Sequence, residues 1–103
     1  MSVALCFSLQ AQNSPAEQLA HRIAGKMKDS LKLTAQQMDA IYNANIKLHK
    51  IKMNVRGAYT NSDSLRIHLQ RAENDRDSLY RLALPYSKFI LYKKNKARLI
   101  NNN

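Results

Sequence analysis

The sequence predicts an all-α protein with three to four helices in hairpin order, arranged as an open cradle or a small bundle. The 103 residues include only two glycines and two prolines, which leaves little turn chemistry for a multistranded sheet. Strong helix formers such as leucine, alanine, lysine and arginine are abundant instead. Apolar residues also recur at spacings of three and four, as on the buried face of a helix.

Chain length limits the size of the core. A chain of this length forms one domain and buries only roughly 60 to 65% of its unfolded surface. We therefore expect residues 12–103 to form a single helical domain whose thin core is supplemented by a homodimer. The single cysteine, Cys6, excludes an internal disulfide and a cysteine metal site.

The sequence begins with an uncharged, mainly apolar stretch, residues 2–11. It resembles the end of a secretory signal peptide with cleavage before Gln12. Because no basic residue precedes it, we interpret residues 1–11 as a signal peptide truncated at its start; a mature N-terminal arm is the alternative. A run of about ten apolar residues is too short to span a bilayer. We expect an exported chain whose mature form has no membrane span.

The first two helices carry three apolar stripes. We expect the first helix to begin near Ser14, with Pro15 at its first position. Its stripe comprises Ala16, Leu19, Ala20, Ile23, Met27 and Leu31. The second helix, residues 35 to about 59, has a core stripe of Ile41, Ala44, Leu48, Ile51, Val55 and Ala58. About 150° around this helix lies a second arc, composed of Met38, Tyr42, Ile46 and Met53. This arc either packs against another helix of the same chain or forms a dimer face or an open binding surface.

Two further helices complete the prediction. A turn near Asn61 precedes a third helix, residues 65 to about 84, with Ser64 as its cap. Its core face comprises Leu65, Leu69, Ala72, Leu79 and Ala83. Its expected ion pairs are Arg71 with Asp75, Glu73 with Arg76, and Asp77 with Arg81. Pro85 forces a kink or a break, and the last helix runs from residue 86 to about residue 100.

The bend between the first two helices carries the most specific motif. Thr34 can accept a hydrogen bond from the Gln37 amide, and the Gln37 side chain can reach back to the Thr34 amide, which makes a capping box. We expect Leu31 and Leu33 to anchor this bend in the core.

The run Leu33-Thr34-x-x-Gln37, preceded by Leu31, resembles the LTxxQ motif of the Spy and CpxP family. This resemblance implies a small all-helical protein of the bacterial periplasm. Family members form antiparallel, cradle-shaped dimers and act as chaperones without ATP or as regulators of envelope stress. Many carry a second LTxxQ before the last helix, where residues 82–86 read Leu-Ala-Leu-Pro-Tyr instead.

Catalysis finds little support in the sequence. His21, His49 and His68 are scattered, without the spacing or nearby carboxylates of a metal site. Asp75 and Asp77 lie two apart on a helix, so they point away from each other and cannot form an acid-base pair. No glycine-rich phosphate loop is present. We predict that the chain is not an enzyme and needs no cofactor or metal ion.

The charge balance suggests what the chain binds. The chain contains seventeen lysines and arginines and seven acidic residues, which gives a net charge of +10. No acidic residue follows Asp77. Such a chain can attract nucleic acid, but no nucleic-acid-binding module is recognisable. We therefore predict a protein that captures unfolded or partly folded proteins, with docking on a sensor domain as the alternative and nucleic-acid binding as the least favoured. The predicted contact surface comprises Met38, Tyr42, Ile46, Met53, Lys50 and Arg56.

Overall fold

The computed structural model describes residues 14–101, which form four α-helices and a final π-helical turn. The elements are α1 (Pro15–Leu31), α2 (Ala35–Ala58), α3 (Ser62–Ala83), α4 (Tyr86–Lys96) and the π-helical turn Ala97–Asn101. No strand occurs within residues 14–101, so the predicted all-α class is confirmed. The interpretation of residues 1–11 as a signal peptide lies outside the described residues.

Capping boxes start the first two helices. At α1, Ser14 Oγ accepts a hydrogen bond from the Glu17 amide at 3.2 Å, and Glu17 Oε1 accepts one from the Ser14 amide at 2.9 Å. At α2, the Gln37 amide donates to Thr34 Oγ1 at 3.0 Å, and the Thr34 amide donates to Gln37 Oε1 at 2.9 Å. Each box satisfies two amides at a helix start. The box predicted at the α1–α2 bend is therefore present.

The α1–α2 bend is fixed from both sides. Leu31 and Leu33 are buried, as predicted, while Lys32 between them adopts the left-handed conformation with φ of 58°. Lys88 of α4 donates from Nζ to the Leu31 carbonyl at 2.7 Å. A cation at this position satisfies a terminal carbonyl and complements the negative end of the helix dipole. Lys88 of α4 therefore helps to cap the C-terminus of α1.

The central helix of the molecule is α2. It packs along α1 and along α3, whereas α1 and α3 do not approach each other closely. The π-helical turn lies against α1, and α4 lies against both α1 and α3. The resulting small bundle is flat, with extents of 51 × 38 × 23 Å. Its thinnest dimension is thus about two helix diameters.

The hydrophobic core lies where α1, the end of α3 and α4 meet the first half of α2. It comprises Ile23, Ala24, Met27, Leu31, Leu33, Ile41, Ala44, Tyr80, Leu84, Tyr92, Leu99 and Ile100. Tyr80 and Tyr92 are fully buried, and their rings meet edge to face with centroids 4.8 Å apart. Such ring pairs contribute about 0.5–1.5 kcal/mol beyond their burial. Aromatic packing therefore holds α4 against α3.

The predicted start of the third helix is wrong by three residues. α3 begins at Ser62, and its cap is Asn61 rather than Ser64. Asn61 Oδ1 accepts hydrogen bonds from the amides of Asp63 and Ser64, at 3.0 and 3.1 Å. Asparagine caps a helix as well as serine does, so the earlier cap defines the start.

The predicted faces of two helices are also shifted. On α3, Ala72 is buried as predicted, and Leu79 and Ala83 are half-buried against the core. The buried residues that follow Ala72 at four-residue steps are Arg76 and Tyr80, which were not predicted to lie in the core. On α1, Leu19 is 42% exposed. The last helix stops at Lys96 as an α-helix, and the π-helical turn that follows buries Leu99 and Ile100.

One of the three ion pairs predicted within α3 forms among the described residues. Arg76 Nε lies 2.5 Å from Glu73 Oε2. Asp77 instead reaches α4, where Lys93 and Lys96 lie 2.7 and 3.0 Å from its carboxylate. The prediction failed here because helical spacing along α3 does not show which side α4 covers.

We expect Thr34→Ala to lower the free energy of unfolding by about 1 kcal/mol, because the Gln37 amide loses its acceptor. Urea denaturation followed by circular dichroism measures this change. Thr60→Ala is the matched control, since Thr60 is exposed between α2 and α3, and it should stay within about 0.5 kcal/mol of the unchanged protein. Equal losses in the two variants would show that the box does not stabilise the bend.

Candidate functional site

The predicted contact surface runs along α2 from the edge of the core into solvent. Met38 and Tyr42 are half-buried and pack against the core cluster. Ile46 is also half-buried, whereas Met53 is 53% exposed. The arc is therefore neither enclosed within the chain nor fully open, and its accessibility increases towards the C-terminal end of α2.

An open groove between α1 and α2 contains the first part of this arc. Its volume is about 740 Å³. Its lining comprises Glu17, Gln18, His21, Arg22, Gly25, Met38, Asp39 and Tyr42. The His21 and Tyr42 rings meet edge to face with centroids 5.8 Å apart. We call this concavity the α1–α2 groove.

Gly25 keeps the α1–α2 groove open beside Met38. A Cβ atom placed on Gly25 would lie 3.9 Å from Met38 Cε, an ordinary van der Waals distance. The absence of a side chain here thus exposes the end of the methionine. The signal for this groove in the sequence is a glycine four residues after His21, on the same side of the helix.

The six predicted residues do not share one concavity. Met38 and Tyr42 line the α1–α2 groove, while Arg56 lines a second groove of about 450 Å³ between α2 and α3. Ile46, Lys50 and Met53 line neither groove. The predicted surface is therefore a strip along α2 that connects two shallow grooves.

The groove between α2 and α3 combines an apolar wall with cationic residues. Leu65 and Leu69 of α3 line it, together with exposed Arg56 and Arg66. Arg66 Nη2 lies 3.7 Å from Asp63 Oδ1, a solvent-exposed pair of the kind that contributes little. Lys52 and Glu73 also line this groove, so three cations accompany one acid, whereas Glu17, Asp39 and Arg22 line the α1–α2 groove. The basic part of the predicted strip thus lies at its far end.

A chain of buried polar side chains joins the three long helices, and sequence reasoning missed it. Asn45 of α2 donates from Nδ2 to the Ala20 carbonyl of α1 at 3.0 Å and accepts a hydrogen bond from the Tyr80 hydroxyl of α3. Arg76 donates to the same hydroxyl from Nη1 at 3.0 Å. Asn45 and Arg76 are each 6% exposed. The core spacing of Ala72, Arg76 and Tyr80 was the signal available in the sequence.

This series of buried hydrogen bonds ends at Arg76 in an ion-pair cluster, which also includes a lysine of α2. Glu73 binds Arg76 on the same helix, and Lys52 of α2 donates from Nζ to Glu73 Oε1 at 2.7 Å. Burial alone would raise the pKa of Glu73, but hydrogen bonds from Arg76 and Lys52 outweigh it and place the pKa below its usual value. Burial raises the pKa of Tyr80 above its ordinary value. Glu73 is thus ionised and Tyr80 neutral near pH 7.

Asp77 of α3 links its helix to α4, as Glu73 links α3 to α2. Its carboxylate accepts hydrogen bonds from the Tyr92 hydroxyl at 2.7 Å, from Lys93 at 2.7 Å and from Lys96 at 3.0 Å. Burial opposes ionisation, but these three donors lower the pKa of Asp77 from 3.8 to about 2. The same contact and burial raise the pKa of Tyr92. Asp77 therefore fixes α4 in place as an anion.

Neither a metal centre nor a membrane-spanning helix is found within the described range. Residues 14–101 contain no group of three histidine, cysteine, aspartate or glutamate side chains placed to hold a metal ion. No helix of this range has the length and apolar character needed to cross a bilayer.

Comparison with known proteins adds no relative. The chain matches no family model, no curated protein and no solved structure. The resemblance to the Spy and CpxP family therefore rests on Leu31, Leu33, Thr34 and Gln37 alone.

We expect Tyr80→Phe to destabilise the protein by about 1–3 kcal/mol, because Asn45 and Arg76 each lose a buried hydrogen-bond partner. Tyr86→Phe removes the same hydroxyl from a ring that is 69% exposed, and it should have almost no effect. Urea denaturation of both variants makes the comparison. An equal loss of unfolding free energy in the two variants would contradict a stabilising role for the buried hydrogen bonds.

We expect Asp77→Asn to lower the free energy of unfolding at pH 7 by about 1–2 kcal/mol, after allowance for solvent screening. The folded-state pKa is depressed, so this stabilisation is present above pH 3.8 and is lost as the pH falls towards 2. Asp75→Asn, at an exposed position on the same helix, is the control. Unfolding curves from pH 7 to pH 2 should converge for Asp77→Asn and the unchanged protein; a constant difference would contradict the assignment.

Proposed function

We propose that this chain is a periplasmic, ATP-independent chaperone-like protein that captures partly unfolded proteins on the α1–α2 groove and the adjoining strip of α2. The observation that carries this proposal is the groove itself, an open concavity of about 740 Å³. Met38 and Tyr42 are half-buried, and both line this groove. The LTxxQ-like run supports the same function by resemblance.

The shape and composition of the groove suit short apolar segments of a client. Volumes of roughly 300–1,000 Å³ are typical of sites for drug-sized ligands, which are comparable to a few apolar side chains together. Methionine is flexible and polarizable, so Met38 can adjust to clients of different shapes. Because the groove is open, contacts with each client segment are shallow, which favours weak and reversible binding. Release would then follow when the client folds and withdraws its apolar residues.

The basic excess supports the early step of capture. Lys50 and Arg56 are exposed along the strip, and the net charge of the chain is +10. Such a field increases the rate at which acidic proteins meet the surface. At an ionic strength of about 0.1 M, the Debye length is only about 10 Å, so added salt should slow capture more than it weakens apolar contacts.

A homodimer would extend this surface. The bundle is only 23 Å thick, and Met53 and Ile67 are exposed large apolar residues on α2 and α3. Burying such residues against a second copy would supplement the thin core and would place two strips in one assembly. We include dimerisation in the proposal on this ground.

We expect Gly25→Leu to abolish most of the aggregation-suppressing activity, because a leucine at this position fills the α1–α2 groove beside Met38. Gly25→Ala should retain the activity and raise the stability by about 0.5–1 kcal/mol through its helix propensity. The assay measures light scattering of a chemically denatured acidic enzyme, diluted into the protein without ATP.

Gly57→Leu is the matched control, because a side chain at Gly57 meets no atom within 4 Å. Equal activity of Gly25→Leu and Gly57→Leu would show that the binding site lies outside the α1–α2 groove. No suppression by the unchanged protein at several-fold excess would rule out the chaperone function. A pull-down that recovers one stable partner instead of many would favour docking on a sensor domain.

A further inference from the structure

The corner between α3 and α4 exposes large apolar side chains that the proposed function does not use. Leu82, in the last turn of α3, is 86% exposed, and Tyr86, at the start of α4, is 69% exposed. Pro85 between them is exposed as well. Leu82 is the most exposed of the large hydrophobic residues described. We call residues 82–86 the α3–α4 corner.

The outer side of α4 continues this surface. Tyr86, Ile90 and Lys94 follow one another at four-residue steps, so they lie along one side of the helix. Leu91, 40% exposed, borders this line. The opposite side of α4 carries Tyr92, which is fully buried. Ile90 is half-buried, so the exposed apolar residues on the outer side of α4 are Tyr86 and Leu91.

Cations surround this apolar surface, and no acid of its own segment offsets them. Arg81 and Lys94 are exposed, and the sequence contains no acidic residue after Asp77. Asp77 itself is engaged on the inner side by Tyr92, Lys93 and Lys96. The corner therefore presents exposed leucine and tyrosine beside exposed cations.

We propose that the α3–α4 corner and the outer side of α4 dock the protein on an anionic phospholipid surface. Leu82 and Tyr86 enter the boundary between headgroups and acyl chains, while Arg81 and Lys94 lie at the level of the lipid phosphates. Apolar residues on one side with lysine or arginine around them are the pattern of interfacial binding, and anionic lipid strengthens it. Tyrosine suits this boundary because its ring is apolar and its hydroxyl is polar.

The corner is separate from the proposed client-binding surface. No residue after Arg76 lines the α1–α2 groove or the groove between α2 and α3. Shallow insertion into a lipid interface needs exposed apolar side chains with cations beside them and no concavity, and the corner has these features. A client segment would instead find its concave site between α1 and α2.

The first test measures co-sedimentation of the full chain with vesicles. We expect binding to vesicles of phosphatidylglycerol and phosphatidylcholine and at least tenfold weaker binding to phosphatidylcholine alone. The double variant Leu82→Gln with Tyr86→Gln should bind anionic vesicles at least tenfold more weakly. Leu19→Gln, at a position 42% exposed on α1, is the control and should bind unchanged. Circular dichroism confirms that each variant is folded, and equal binding by the double variant would overturn the proposal.

The second test separates charge from apolar insertion. Arg81→Gln with Lys94→Gln should weaken anionic-vesicle binding by roughly fivefold for each cation removed. Lys47→Gln with Arg71→Gln removes the same charge at exposed positions away from the corner and should have a much smaller effect. If both pairs weaken binding equally, the attraction is that of the net charge, and the corner is not the docking site.

The third test locates the inserted residue. The chain contains no tryptophan, so Tyr86→Trp introduces a single fluorescent reporter, and Leu19→Trp is its control. Anionic vesicles should shift the emission of Tyr86→Trp to shorter wavelength and protect it from acrylamide, with no change for Leu19→Trp. A shift with polyglutamate but none with vesicles would overturn the membrane proposal in favour of an acidic polypeptide. Aggregation suppression by the Leu82→Gln and Tyr86→Gln variant should remain normal, so failure here is distinguishable from failure of the chaperone function.

Discussion

The fold depends on the buried hydrogen-bonded chain from Ala20 through Asn45 and Tyr80 to Arg76. α1 and α3 do not pack directly on each other, so apolar contacts with α2 alone would let either helix slide along it. Asn45 prevents this because its amide binds α1 and its carbonyl oxygen binds α3. No buried side-chain nitrogen or oxygen of the described residues lacks a partner. A fully satisfied polar network of this kind can define one register, whereas a half-satisfied one would cost stability.

The same arrangement accounts for the open strip on α2. Both neighbours of α2 use its core side, where Ile41, Ala44 and Leu48 are buried. No other helix of the described chain is left to cover the second arc, because α4 lies against α1 and α3 instead. α1 reaches only the start of the arc, where Gly25 lies beside Met38 and the His21 ring meets the Tyr42 ring. The gradient of exposure along the strip is thus a consequence of where α4 packs.

Sequence reasoning found the local structure and missed the arrangement. The helix class, the Thr34 and Gln37 box and the break at Pro85 follow from residues close together in the chain, and all three are confirmed. The partners of Asp77 and the α1 wall of the groove depend on contacts between distant helices, which periodicity does not specify. The burial of Arg76 and Asn45 was missed for a further reason: a polar residue at a core spacing is interpreted as a surface residue unless its partner is known.

The few carboxylates of the chain explain how a strongly basic protein keeps two different surfaces. Glu73 and Asp77 each draw two cations into contacts between or within helices, so part of the positive charge stabilises packing. The cations that remain exposed lie mainly where acids are absent, beyond Asp77 and along the end of α2. Glu17 and Asp39 instead lie at the α1–α2 groove, where they locally reduce the positive potential. The positions of these four acids therefore distinguish the two proposed surfaces. The client-binding groove has acids at its edge, and the docking surface at the α3–α4 corner has exposed cations.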